Sequence, residues 1–280
     1  MKAFVLGGGG AKGALQVGAL RALLEAGLQP DLLAGTSVGA VNATYVAAHG
    51  FSLDTLEGLA EAWHNAAEND LLPDNYLWLT LRTLFNRPGL DARGRLREFF
   101  VRHGLRPDLR FSDLQGVRLI VVAADLWAGR AVLYGTDPDQ LVLDGLLAST
   151  AIPPWVRPLD DGDRLLMDGG TVSNLPIEPA LSQGATQIVA LDLADPRPVG
   201  PVAGGFGPFL FHLIYTVEQR HAYLEKQLAA ARGVLVHHIP LQSAMPMAVW
   251  EFKRAVPLLD RGYELMRDYL ETHPELASLA

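Results

Sequence analysis

Two hydrophobic patterns alternate along the chain. Short unbroken apolar runs, bounded by glycine or polar residues, read as buried strands, and stretches with apolar residues every third or fourth position read as helices. The first run covers residues 2–6 and ends in four glycines. A helix follows over 11–26, with Leu15, Ala19, Leu20, Leu23 and Leu24 on its periodic face and Gly27 as its stop. The same reading gives a strand at 31–35 and a helix at 38–48. The region 53–104 is helical but irregular, broken at Pro73, Pro88 and Gly89. "VRLIVVAA" (117–124) and "RAVLY" (130–134) are strands, and "DLWAG" between them predicts a hairpin. A helix at 139–148, a strand at 164–167, a helix at 177–183 and a strand at 187–193 come next. Gly/Pro-rich residues 195–208 read as a linker, followed by a helix over 209–232, the strand "GVLVHHI" and a last helix over 253–272. Apolar strands alternating with helices predict an α/β fold whose mostly parallel sheet is covered on both faces. Such sheets bind ligands at the carboxyl ends of their strands.

Composition narrows this picture. The chain has 280 residues, 49% hydrophobic and 19% charged, enough for a sizeable core and too apolar for disorder. We expect one domain over 1–280, with a catalytic core in 1–195 and a linker plus helical extension in 196–280 packed on it. A net charge of −8 argues against a nucleic-acid partner. The absence of cysteine excludes disulfides and thiolate metal sites and fits a cytoplasmic protein. The apolar run after Lys2 is too short for a signal peptide. No stretch reaches the roughly 18 apolar residues of a membrane span.

The chemistry concentrates around two glycine elements. "LGGGGAKGAL" (6–15) ends the first strand. It does not match a P-loop, because Lys12 is followed by Gly13 and no magnesium-binding hydroxyl comes next. Gly8, Gly10 and Gly13 do fit a dinucleotide fingerprint, but that motif wants an acid at the end of the second strand. That position holds "GTSVG" (35–39), a G-x-S-x-G sequence between a strand and a helix. Gly35 and Gly39 would let the chain turn tightly and leave Ser37 at a helix N-terminus. The bare amides of the first loop could then face an oxyanion built on Ser37. A plain serine N-cap in a tight turn would leave the same residues, as would a nucleotide-binding module.

A serine nucleophile needs a base. His237 and His238 come late enough for a Ser-Asp-His order, although only one strand and helix precede the serine. Adjacent on a strand, they face opposite ways. The other candidate is Asp168 in "LLMDGGTVSNLP" (165–176), at the end of an apolar strand with Gly169 and Gly170 after it. Desolvation would raise its basicity.

Four blocks in order resemble the patatin-like phospholipases: "GGGGAKG" (7–13), "GTSVG" (35–39), "ASTAIPPWVRP" (148–158) and "DGGTVSNLP" (168–176). The resemblance spans roughly residues 1–195. It implies a three-layer α/β/α fold with a mostly parallel central sheet and a Ser–Asp dyad without histidine. It also implies hydrolysis of lipid acyl esters, of phospholipase A or lysophospholipase type, through an acyl-serine. Carried over, Ser37 is the nucleophile, Asp168 the base, and Gly8, Gly9 and Gly10 the oxyanion loop. Lys12, Gly13, Gly35, Gly39, Gly169 and Gly170 support the motifs. No cofactor and no metal are implied, and the partner is a lipid or acyl-ester substrate; transient contact with a membrane surface is expected of the apolar segment 204–217. The apolar segment 204–217 is expected either to line or lid the acyl groove or to begin a core-packed helix.

Overall fold

The computed structural model describes residues 1–68, 92–153, 155–194 and 206–277, without the side chains of residues 206–208, 210, 211 and 277. The expected breaks at Pro73, Pro88 and Gly89 and most of the 195–208 linker lie outside the described residues.

Five strands form the parallel heart of the sheet: β1 (Lys2–Leu6), β2 (Leu32–Thr36), β3 (Arg118–Asp125), β7 (Gln187–Asp192) and β8 (Leu235–Pro240). Their order is β3-β2-β1-β7-β8. The expected hairpin forms, with β4 (Arg130–Tyr134) antiparallel to β3. Two further antiparallel strands, β5 (Leu159–Asp160) and β6 (Leu165–Asp168), extend the sheet beyond β3.

The strands are apolar on both faces because both faces are covered. Phe4, Leu6, Leu33, Val121 and Leu191 belong to one buried cluster, and Ala3, Val5, Leu32, Ala34, Ile120 and Ile188 to another. The alternation is the two-residue period of a strand. Helices α1 (Ala14–Glu25), α2 (Val38–His49), α3 (Leu53–Glu68), α4 (Arg93–Arg102) and α5 (Val142–Ser149) contribute to the first cluster. A short turn of helix, α6 (Gly170–Ser173), follows β6, and α7 (Ile177–Ser182) and α8 (Phe206–Ala231) cover the opposite face.

The C-terminal part closes the first face. Helix α9 (Pro257–Thr272) starts with proline at its first turn, where no amide partner is lost, and lies along α1. The crossing is so close that a Cβ on Gly262 would strike the Leu15 carbonyl oxygen, and one on Gly18 the Leu259 carbonyl oxygen. Among the described residues no helix is long and apolar enough to cross a membrane.

Candidate active site

The site is built by the way β3 shares one of its edges. Along one edge, β4 pairs continuously with Val121–Asp125. The other edge is occupied by β2 up to Thr36, opposite Val122. Directly beyond, Ala123 pairs with Asp168 of β6. At Thr36 the chain leaves the sheet, so Ser37 emerges where Asp168 takes over the same edge. Two residues 131 positions apart are thereby neighbours.

Ser37 stands at the mouth of α2 in a backbone conformation (φ 55°, ψ −126°) that no other described non-glycine residue approaches in sign of φ. Such geometry costs on the order of 1–3 kcal/mol and persists only where neighbours enforce it. Gly35 and Gly39 allow it: a Cβ on Gly39 would strike the Leu6 carbonyl oxygen, and one on Gly35 would meet the Ala40 nitrogen at 2.6 Å. The Ser37 side chain is partly open to solvent and Asp168 is buried.

Asp168 is desolvated, and burial pushes its carboxyl up to about 6, against the downward pull of the Ser37 hydroxyl and the Gly170 amide. Its Oδ1 accepts the Gly170 N–H at 2.8 Å. Its Oδ2 meets no donor in good alignment. The serine hydroxyl is thus near enough to favour the ionised form without being held by a well-formed hydrogen bond. Catalytic pairs commonly tighten only around substrate.

Residues 148–152 hold the pair together from behind. The Ser37 N–H donates to Ser149 Oγ at 2.9 Å, and that hydroxyl donates to the Val122 carbonyl at 2.6 Å. The Asp168 N–H donates to the Ala151 carbonyl at 3.0 Å. One short segment therefore fixes the backbone of both residues. Pro154 in the same block lies outside the described residues.

The glycine loop flanks Ser37: a Cβ on Gly8 would lie 3.1 Å from Ser37 Cβ. The amides divide in a way the sequence did not announce. The Gly8 N–H is already spent on the Asn174 carbonyl at 3.0 Å, which removes Gly8 from the donor set assigned to Gly8–Gly10. Among the described residues the Gly9 and Gly10 amides have no acceptor, and both residues are partly open to solvent. Gly10 is left-handed (φ 57°), and a Cβ there would strike the Val249 carbonyl oxygen. That carbonyl accepts the Ala11 N–H at 2.8 Å, so the C-terminal part pins the loop.

Beneath the loop lies a fully paired polar network. Gln16 Nε2 donates to the Gly7 and Leu191 carbonyls, Asn42 Nδ2 donates to Gln16 Oε1 and the Gly13 carbonyl, and Trp63 Nε1 donates to Asn42 Oδ1. Buried amides satisfied in this way set the loop's shape. Lys12 is also buried, its ammonium donating to the Leu193 carbonyl at 3.3 Å.

The histidines fall elsewhere. β8 is three strands removed from β2, on the order of 14 Å at ordinary strand spacing. His238 Nε2 pairs with Asp192 Oδ2 at 2.8 Å, and His237 is buried on the opposite face. Among the described residues no three His, Asp or Glu side chains converge as a metal site. In the segment expected as lid or core, the described side chains Phe209, Leu213, Ile214 and Val217 of α8 are exposed rather than core-packed. Gly204, Gly205 and the side chains of Phe206, Leu210 and Phe211 lie outside the described residues. Chemically, a hydroxyl beside a desolvated carboxylate, with two unspent amides in the adjoining glycine loop, is equipment for acyl transfer.

Comparison with known proteins bears on the family and fold of the chain. The patatin-like phospholipase profile matches residues 4–181. Patatin-like phospholipase domain-containing protein 7 of Mus musculus is 31% identical over 194 residues, which cover 68% of this chain and 13% of that protein. Protein 6 of the same name in Homo sapiens is 32% identical over 194 residues with the same coverage. The chain thus matches a small fraction of these mammalian relatives. The uncharacterized protein YqhO of Bacillus subtilis (strain 168) is 31% identical over 209 residues, covering 68% of this chain and 70% of YqhO. Among solved structures, VipD from Legionella pneumophila shares the fold, with a TM-score of 0.52 at 14% identity over 97% of this chain and 67% of that one.

Proposed function

The chain belongs to the patatin-like phospholipase family, and from that premise we propose that it is a serine acyl hydrolase of lipid esters, working through a Ser37–Asp168 dyad. The observation that carries the reading is the shared edge of β3, where Thr36 opposite Val122 gives way to Asp168 opposite Ala123.

Asp168 accepts the Ser37 proton as Oγ attacks the ester carbonyl. With a carboxyl raised to about 6, Asp168 is ionised at neutral pH and still a stronger base than an ordinary aspartate. The tetrahedral oxyanion is held by the Gly9 and Gly10 amides, each contributing on the order of 3 kcal/mol. Asp168 then protonates the departing alcohol or lysolipid, leaving an acyl-serine. Water deprotonated by Asp168 attacks that ester, and collapse returns the proton to Ser37 and releases the fatty acid.

The substrate class is phospholipid or lysophospholipid, presented at a surface. Phe209, Leu213 and Val217 recur every four residues on one exposed face of α8, with Ile214 beside them. That stripe supports transient contact with a lipid surface. Cytoplasmic residence, at most peripheral to membranes, is part of the same proposal and draws on the cysteine-free composition.

The test is fatty-acid release from phosphatidylcholine and lysophosphatidylcholine vesicles. Release by the wild type and its loss in Ser37→Ala, with His238→Gln active, are expected. Wild-type protein that is inert on these vesicles and on short soluble esters contradicts the proposal.

A further inference from the structure

A third carboxylate stands beside the dyad and comes from outside the motif blocks. Helix α8 turns Ala222, Glu225 and Ala229 inward, and all three are buried. Glu225 is fully engaged: its Oε1 accepts the Ser173 hydroxyl and its Oε2 the Glu178 N–H, each at 2.7 Å. These bonds clamp α8 to α6 and α7, directly downstream of Asp168. Glu218 lies seven residues earlier, two helical turns along the same face, about 10 Å away. The clamp therefore fixes where Glu218 falls.

It falls against the base. A Cβ on Gly170 would lie 3.1 Å from Asp168 Oδ1, 3.1 Å from Asn174 Oδ1 and 3.7 Å from Glu218 Oε1. The two carboxylates thus flank one carbon-sized space that glycine leaves empty. Among the described residues the charged groups acting on Glu218 are Asp168 of β6, Asp192 of β7 and Lys12 of the glycine loop. On its own helix the titratable neighbours are Arg220 two residues on, Tyr215 and His221 three residues to either side, Tyr223 five and His212 six residues away, and Glu225 seven. Asp192 is paired with His238, and Lys12 donates to the Leu193 carbonyl.

We propose that Glu218 is a positioning residue for the acyl-transfer step, whose negative charge, when ionised, drives the serine proton onto Asp168. The inference rests on the dyad reading above. During acylation, negative charge leaves Asp168 and appears on the oxyanion at the glycine loop. A second anion next to Asp168 favours that displacement, because it repels the charge that is lost more strongly than the more distant charge that is formed. A neutral Glu218 gives no such push. Burial, and after it the Asp168 charge, raise the Glu218 carboxyl to about 7, with Lys12 pulling the other way and Asp192 adding to the rise. Its ionisation therefore comes above that of Asp168, within the working range of pH.

The consequence is an acid limb with two steps in kcat/KM, which reports the free enzyme. The first follows Asp168 near pH 6 and the second follows Glu218 near pH 7. The experiment compares wild type with Glu218→Gln on a soluble short-chain ester between pH 5 and 9. The amide mimics protonated glutamate, so the two proteins should be equally active near pH 5.5 and differ about tenfold at pH 8.5. The variant should keep one inflection, near 6. Glu218→Asp, which keeps the charge, should retain the upper step and guards against misfolding of the glutamine form. A wild type/Gln ratio constant with pH, or loss of the upper step in Glu218→Asp as well, overturns the proposal. Failure of the dyad itself would show differently, as a wild type that does not turn over the ester at any pH.

Discussion

The edge of the sheet around Ser37 and the C-terminal part that packs against it are stabilised in opposite ways. Around Ser37 the chain is glycine-rich, one residue holds a backbone conformation costly for serine, and a carboxylate is buried with one oxygen poorly paired. Each of these features opposes folding, and each supplies something the chemistry uses. The C-terminal part shows the reverse. Helix α9 lies in close contact along α1, the Val249 carbonyl pins the glycine loop, and Glu225 meets two donors. Strain is concentrated where acyl transfer is proposed and is held in place by elements with no catalytic motif. This separation can be tested from both sides.

The largest effect is expected at Asp168. Asp168→Asn should lower kcat by about ten-thousandfold, roughly 5.5 kcal/mol, while His237→Gln and His238→Gln stay within tenfold. The same variant should be more stable than wild type. The carboxyl binds its proton more tightly folded, at about 6, than unfolded, near 4, so the penalty of ionising it is absent below about pH 4. It grows as pH rises through that interval and is complete above about 6, at roughly 3 kcal/mol. Melting curves should separate the two proteins at pH 8 and converge toward pH 4; a destabilised variant at pH 8 would break the contrast between the regions.

On the scaffold side, Gly262→Ala forces a methyl against the Leu15 carbonyl and should cost about 3 kcal/mol in urea denaturation. Turnover per folded molecule should be unchanged. A neutral result would mean that α9 does not press on α1 as described.

Ser149→Ala should act within the Ser37 region, through the support behind the dyad. It removes the acceptor for the Ser37 N–H and the donor to Val122. A fall of about thirtyfold in kcat with KM within twofold is expected, equivalent to roughly 2 kcal/mol. A change in KM alone would place Ser149 in substrate binding instead. The smallest effect belongs to the exposed face of α8: Leu213→Ser with Val217→Ser should reduce vesicle hydrolysis about fivefold. Soluble-ester hydrolysis and melting temperature should not change.

The motif residues were legible because backbone geometry forces their identity. A tight strand-to-helix turn admits few residues on either side of its serine, so Gly35 and Gly39 announce it. Alternating buried strands and periodic helices likewise revealed the sheet and its order along the chain. What stayed hidden depends on register. Nothing in Ala123–Asp125 or Leu166–Asp168 signals that β6 takes over the edge vacated by β2, since apolar runs pair in many registers. The loss of the Gly8 amide to Asn174 is invisible for the same reason. Gln16 offered a faint signal, a polar residue inside an otherwise apolar helix start. Glu218 and Glu225 offered less, because glutamate on a long helix ordinarily faces water. Whether 204–217 lines or lids the groove or begins a core-packed helix is not decided by periodicity, because apolar residues in that sequence fall at too many positions to define one face.

The central claim, that Ser37 is activated by Asp168, is tested most directly by covalent labelling. A fluorophosphonate probe should add one adduct per chain, mapped by peptide mass spectrometry to Ser37. The labelling rate should rise with pH from about 6 upward, beginning with Asp168 ionisation, and fall by at least a thousandfold in Asp168→Asn, with no adduct in Ser37→Ala. An adduct on another residue, or unchanged labelling of Ser37 in Asp168→Asn, would contradict the account.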